Sequence, residues 1–239
     1  MASPTTIDVR RAAERFHTRL PWLDSRHCFS FSRHYDPRNT HHGLLLVSND
    51  DVVSAGTGFS THPHQDMEIV TWVLDGELEH KDSAGHQGII YPGLAQRMSA
   101  GTGIWHSEMN PRGDHDVHFV QMWVVPDTEP ADPSYEQRDI GDELSQGGLV
   151  AIASGRGHDA AVSIRQRDAV LWGGRLASEE TARVPDAGHV HLFVARGGVG
   201  LEGAGELAEG DAVRLTAAGG DLGLVAGADG AEVLIWETA

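Results

Sequence analysis

Short apolar runs, broken every few positions by turn-forming residues, set the pattern of this chain. Ile69-Val70-Thr71-Trp72-Val73-Leu74 is β-branched and aromatic and stops at Asp75-Gly76, a strong hairpin signal. Val117 to Val125 is a second such run, closed by Pro126-Asp127-Thr128-Glu129-Pro130. Leu44-Leu45-Leu46-Val47 predicts a buried strand ending at the polar stretch Ser48-Asn49-Asp50-Asp51, and Phe29-Ser30-Phe31-Ser32 alternates as a half-buried strand does. Leu78-Glu79-His80 and Ile89-Ile90-Tyr91 are shorter strands, each followed by a turn. Residues 7–16 predict a short helical turn with Asp8 near its start.

The second half repeats this texture. Leu149–Ala153, Val162–Ile164, Ala169–Gly174, His191–Ala195, Ala212–Leu215 and Glu232–Trp236 read as strands, with glycines at their turns and no sustained helical period. Residues 126–148, rich in Pro, Asp, Glu and Gly, read as the linker between the halves. Short strands at close turn spacing predict an all-β chain of sandwiches or barrels.

With 239 residues, 40% of them hydrophobic, the chain can bury one large β core or two small ones. Its apolar runs are far shorter than the roughly 20 residues needed to span a membrane. The N-terminal residues lack the basic-then-apolar pattern of a signal peptide. Cys28 is the only cysteine and forms no internal disulfide. These features predict a soluble, cytoplasmic protein with no membrane partner. A formal charge of −17 argues against direct nucleic-acid binding, which needs clustered Lys and Arg.

Two stretches carry candidate chemistry: Thr61-His62-Pro63-His64-Gln65-Asp66-Met67-Glu68 and Gly103-Ile104-Trp105-His106-Ser107-Glu108. Residues two apart in a strand share a face, about 6.6 Å along it. His62 with His64, and His106 with Glu108, can therefore aim three imidazoles and one carboxylate at a point. Such a set suits iron, zinc, copper or nickel. With 15 histidines in the chain, the spacing alone serves a metal site and a set of surface hairpin histidines equally well. His41-His42, His115 and His118 read as surface histidines. His189-Val190-His191 is a further His-x-His, but no histidine follows it.

Together the motifs resemble one family. Phe29-Ser30-Phe31, Tyr35-Asp36-Pro37, Gly58-Phe59, His62-Pro63-His64, Met67-Glu68-Ile69-Val70, Asp82-Ser83 and Pro92-Gly93 are part of the match. It continues through Gln96 to Ile104, His106-Ser107-Glu108, Gln121-Met122-Trp123 and Tyr135-Glu136-Gln137. Over residues 20–138 the chain resembles the pirins, which are bicupins. The resemblance implies two cupin-type β-barrels (jelly rolls), with an N-terminal metal-binding domain at 1–135 and a C-terminal, metal-free domain at 136–239. Cupins commonly carry Gly-Asp where this chain has Gly93-Leu94, whereas Gly210-Asp211 keeps it.

The resemblance implies one divalent metal, iron first, with zinc, nickel, copper and manganese as alternatives, on His62, His64, His106 and Glu108. Some pirins resemble quercetin 2,3-dioxygenase, which opens a flavonol ring with O₂ and releases carbon monoxide. That implies a flavonol substrate and Glu108 as ligand and catalytic base. Other pirins are regulators, so a metal-dependent module that binds a protein partner is the alternative. Oligomeric state stays open. Glu68 is expected to hold an imidazole N–H, or otherwise to be ion-paired or solvated. Trp105 is expected in the core; Phe59 and Met98 are expected by default to be apolar packing, with the pocket mouth as the alternative, and Gln96 and Arg97 could reach substrate, a role the resemblance does not assign them.

Overall fold

The computed structural model describes residues 5–128, 130–218 and 222–239. In its first half the strands are β1 (Thr6–Arg10), β2 (Phe16–Leu20), β3 (Leu23–His27), β4 (Leu45–Val53), β5 (Gly58–His64) and β6 (Glu68–Asp75). There follow β7 (Leu78–Asp82), β8 (Gln87–Ile90), β9 (Leu94–Ser99), β10 (Ile104–Met109), β11 (Val117–Val124) and β12 (Ser134–Asp139). A single helical turn, α1 (Gly141–Leu144), leads to the second half. There lie β13 (Val150–Ser154), β14 (Val162–Ser163), β15 (Ala169–Leu176), β16 (Thr181–Arg183), β17 (Ala187–Leu201), β18 (Gly205–Ala208), β19 (Ala212–Ala218) and β20 (Gly223–Thr238).

β6 explains the layering. It is buried along nearly its whole length, because both its faces are covered. Ile69 and Val73 point into the first barrel, with Met98 and Phe119 among their neighbours. Val70, Trp72 and Leu74 point the other way, into a cluster shared with Leu171, Phe193, Leu234 and Trp236 of the second half. The inner wall of the first barrel is the seven-stranded sheet β12-β9-β6-β11-β4-β3-β2, and a four-stranded sheet, β5-β10-β7-β8, completes it. The second half is one sheet, β1-β19-β17-β20-β15-β13-β14, with β16 on β20 and β18 on β17. Its long strands β17 and β20 change register at Val194/Arg196 and Gly197/Val199, where bulges bend a sheet. That curvature encloses a second core around Val190, Leu192, Val213, Leu215 and Ile235. The expected all-β bicupin architecture is what the chain adopts.

Polar ties cross the junction. Trp72 Nε1 donates to Glu232 at 2.7 Å. Arg214 lies over the Phe29 ring, 4.4 Å from its centroid, and donates to the Cys28 carbonyl at 2.7 Å. Asp211 accepts from the Ala12 N–H at 2.8 Å and pairs with Arg11 at 2.7 Å, so the Gly210-Asp211 turn anchors the N-terminal segment.

Four local expectations change. Residues 7–16 hold β1, a 3₁₀ turn at Ala12–Glu14 and the start of β2 rather than a helix. β1 lies on the second domain's sheet, with Ile7 opposite Leu215 and Val9 opposite Val213. Phe29–Ser32 is loop, with only a Phe31–His34 bridge, and Asn39 Nδ2 and Arg214 take up the Cys28 carbonyl. Ser48–Asp51 does not end a strand; it is the middle of β4, because its polar side chains find partners inside the barrel. The stretch read as a linker contains β12, paired to β9, and α1, whose Leu144 is buried. The expected division at 135/136 falls inside β12. Among the described residues no helix is long and apolar enough to cross a membrane.

Candidate metal centre

β5 and β10 are adjacent antiparallel strands, with His106 opposite His62 and Ile104 opposite His64. β5 is the edge of its sheet, which is why Pro63 is accommodated. Alternation on β10 buries Ile104, His106 and Glu108 and turns Trp105 outward. Trp105 is 54% exposed, so it faces solvent and not the core as expected. A register shift between His106 and Glu108 sets the carboxylate back along the strand.

The three imidazoles converge. Their ring centroids are 4.4 Å (His62–His106), 4.9 Å (His62–His64) and 4.9 Å (His64–His106) apart. One nitrogen from each falls within 4.8 Å of the others, the single such cluster among the described residues. His62 Nδ1 donates to the Ser60 carbonyl at 2.8 Å, which leaves its Nε2 as a bare acceptor. His64 Nε2 and His106 Nε2 are buried without any hydrogen-bond partner. Burial, then the neighbouring imidazoles His106 and His62, pull His64 down to about 4. Burial, then His62 and His80, pull His106 down to about 3. Three imidazoles converging on one small volume, with burial holding His64 and His106 neutral, is the donor set that a transition metal requires. These residues fit a metal ion.

Glu108 is buried beside the cluster without belonging to its tightest group. Gln121 Nε2 donates to both of its oxygens, at 2.9 and 2.8 Å, and Thr71 Oγ1 approaches at 3.5 Å. Trp123 Nε1 in turn donates to Gln121 Oε1 at 3.0 Å, and its ring meets His64 edge-on at 4.8 Å. Behind His106 lies His80, with the two Nδ1 atoms 3.4 Å apart.

A cleft of about 570 Å³ opens over His62, His64 and Glu108, within the range of small-molecule sites. Trp22, Phe31, Phe59 and Trp123 give it flat apolar walls, and Ser25, His27, Asn49 and Asp51 form a polar side. His27 Nδ1 bonds Asn49 Oδ1 at 2.8 Å, and Ser25 Oγ donates to Asp51. Burial, chiefly, pushes the Asp51 carboxyl up to about 7.

The structure brings together His62, His64 and His106, with Glu108 adjacent and Phe59 on the cleft wall. Met98 is wholly buried beneath Ile69, away from the cleft. Arg97 turns to the domain junction, bonding the Ser163 carbonyl and Glu136. Gln96 is buried and lies outside the cleft lining. Glu68 does not serve an imidazole and is neither ion-paired nor solvated: its carboxylate accepts from Ser99 Oγ at 2.8 Å and the Arg165 N–H at 3.1 Å. The left-handed residue Asp66, φ 48°, breaks the strand between His64 and Glu68, so face alternation does not carry across. His118 is not a free surface histidine, since it pairs with Asp50 at 2.6 Å. His42 is half-buried at the domain junction, donating to the Leu215 carbonyl at 3.0 Å. His189 meets the Ala239 carbonyl, and buried His191 packs on Phe29. Sequence reasoning assigned no role to Gln121, Trp123, His80, Asp82 or Asp51. A polar Gln121 between the apolar Val120 and Met122 was the available signal.

The Pirin family profile matches residues 8–124, and a profile described as a quercetinase C-terminal cupin domain matches 151–237. A Mycobacterium tuberculosis protein is 59% identical over 97% of this chain and 95% of its own length. The quercetin 2,3-dioxygenase of Escherichia coli K12 is 41% identical over 82% of this chain and 84% of its own. Two crystal structures of the E. coli protein YhhW are 35% identical to this chain and cover 98% of it. One covers 98% of the E. coli chain with a TM-score of 0.90; the other, a bacterial pirin in complex with nickel(II), covers 99% with a TM-score of 0.87. Motifs, double-barrel architecture and these likenesses over nearly the whole length agree: the chain belongs to the pirin family.

Proposed function

We propose that the protein is a metal-dependent dioxygenase that opens a flavonol ring of the quercetin type with O₂ and releases carbon monoxide. The observation that carries this reading is the convergence of three imidazoles, two with partnerless buried Nε2 atoms, at an aromatic-walled cleft that His62 and His64 line. The E. coli relative named for this activity supports it. His62, His64, His106 and Glu108 would hold one divalent metal, iron or another such as nickel. That ion would act as a Lewis acid and template, lowering the pKa of a substrate hydroxyl.

The remaining work falls to side chains. Trp22, Phe31, Phe59 and Trp123 sandwich a planar polyphenol and exclude water. Glu108 accepts the proton of the flavonol 3-hydroxyl, which requires a reach of about 2.6–3.2 Å. Gln121 steadies the carboxylate through its side-chain N–H groups. The Ser25–Asp51 side of the cleft offers hydrogen bonds to ring hydroxyls. Oxygen uptake and carbon monoxide release by metal-loaded protein given quercetin test the proposal. A fully loaded protein that consumes no oxygen, with iron, nickel, copper or manganese, overturns it and favours the partner-binding module.

A further inference from the structure

We propose that Asp82, acting through His80, is a positioning residue that fixes the tautomer of His106 and so keeps its Nε2 lone pair directed at the imidazole cluster. The inference rests on the reading of His106 as a metal ligand.

The chain of atoms is short. Asp82 Oδ2 lies 3.2 Å from His80 Nε2, and His80 Nδ1 lies 3.4 Å from His106 Nδ1. The side chains of His80 and Asp82 have no exposed surface, so water does not compete for these contacts. An ionised carboxylate only accepts, and a neutral imidazole carries one donor and one acceptor. Burial opposes ionisation of Asp82, but hydrogen bonds from His80 and His86 outweigh it and hold the carboxyl below its ordinary value. A His80 that carries one ring proton therefore donates from Nε2 to Asp82, which leaves its Nδ1 as an acceptor. His106 must then donate from Nδ1, and its Nε2 is bare. That is the buried nitrogen that has no partner. Orienting groups of this kind hold metal-binding imidazoles in many sites.

The surroundings lock the relay. Tyr135 stacks on His80 at 4.7 Å and on His86 at 5.7 Å, between centroids. Gly88, paired with His80 across β7 and β8, leaves room for this: a Cβ there would come 2.6 Å from the Tyr135 hydroxyl. Asp82 Oδ1 is already committed, accepting from the Ala84 and His86 N–H groups at 2.9 and 3.0 Å.

That commitment makes Asp82→Asn a sharp test. The amide oxygen must stay on the two backbone N–H groups, so the NH₂ takes the place of Oδ2, which faces His80 Nε2 at 3.2 Å and His86 Nδ1 at 3.0 Å. His80 then accepts at Nε2 and donates from Nδ1, and His106 is driven to the Nε2–H form, which has to give up that proton before Nε2 can coordinate. The experiment records imidazole ¹⁵N–¹H correlation spectra of the metal-free full chain and titrates nickel(II) alone. Wild type is expected to show His106 as Nδ1–H, and Asp82→Asn to shift it to Nε2–H and weaken nickel binding by about 10–100-fold. An unchanged tautomer with unchanged nickel affinity in Asp82→Asn overturns the inference and leaves the metal reading intact. If wild type binds no nickel, the metal reading is what fails, and the two spectra still decide the tautomer. Should Asp82→Asn not fold, His80→Phe keeps the stack on Tyr135 and removes the acceptor. His106 is then expected to populate both tautomers, and a pure Nδ1–H form overturns the proposal.

Discussion

Gln121 gives its side-chain amide to both oxygens of Glu108, at 2.9 and 2.8 Å, and is itself oriented by Trp123. The indole N–H on Gln121 Oε1 ensures that the NH₂ end, not the carbonyl end, meets the carboxylate. Trp123→Phe removes that N–H and keeps most of the aromatic wall. Loss of one hydrogen bond, worth about 1 kcal/mol, is expected to lower flavonol turnover several-fold while metal content stays near wild type. Steady-state kinetics with quercetin, paired with metal analysis, check this; unaltered turnover would remove Trp123 from the scheme.

Glu108→Gln separates ligand from base. The amide oxygen still coordinates but is a far poorer base, so turnover is expected to drop about 10²–10⁴-fold with much of the metal retained. His106→Ala is expected to lose metal and activity together. Metal content and quercetin turnover measured on the same preparations decide the matter. Wild-type turnover in fully metallated Glu108→Gln rules out the base assignment.

Metal binding should also appear as stability. A ligand at 100 times its dissociation constant stabilises the folded state by about 2.7 kcal/mol. Added nickel(II) is expected to raise the thermal midpoint of wild type, chelation to reverse the rise, and His106→Ala to show neither. Calorimetric scans with and without the ion provide the check. A similar rise in His106→Ala points to binding elsewhere.

The domain junction carries its own acid sensitivity. Burial, chiefly, lowers His42 to about 4, with His189 and Arg214 facing it and the Leu215 carbonyl partly opposing the shift. The unfolded imidazole titrates near 6.5, so between these values the unfolded chain binds more protons than the folded one. Stability therefore falls as pH drops from about 6.5 to about 4, by at most roughly 3 kcal/mol from this group. His42→Gln keeps an N–H for Leu215 and does not titrate. Urea midpoints across this range are expected to depend less steeply on pH in the variant; parallel curves would exclude His42 as a contributor.

How much of this was legible in the sequence varies by element. β6 and β11 were readable because they are largely buried on both faces and so are mostly apolar, with Thr71 the one polar side chain inside β6 and His118 and Gln121 those of β11. His62, His64, His106 and Glu108 were readable because alternation within β5 and within β10 places each pair on one face. Glu68 was misplaced because alternation stops at the positive φ of Asp66. β4 was cut short because Asn49 and Asp51 look like turn residues until His27 and Ser25 are seen across from them. His80 and Asp82 share a strand face, yet their link to His106 exists only through the pairing of β7 with β10. β1 did show alternation at Ile7 and Val9, but its partner lies some two hundred residues away, beyond the reach of local pattern.

The placement of β1 also bears on how the chain is made. Thr6 to Arg10 leave the ribosome some two hundred residues ahead of Thr216 to Ala212, against which they pair. At about 5–20 residues per second, roughly 10–40 s separate the two events. The first barrel has all of its own strands by then, while the leading segment waits with Ile7 and Val9 uncovered. Closure of that clasp has to wait for β19 to be made, and a substitution at Ile7 or Val9 acts on the second domain's sheet rather than on the first barrel.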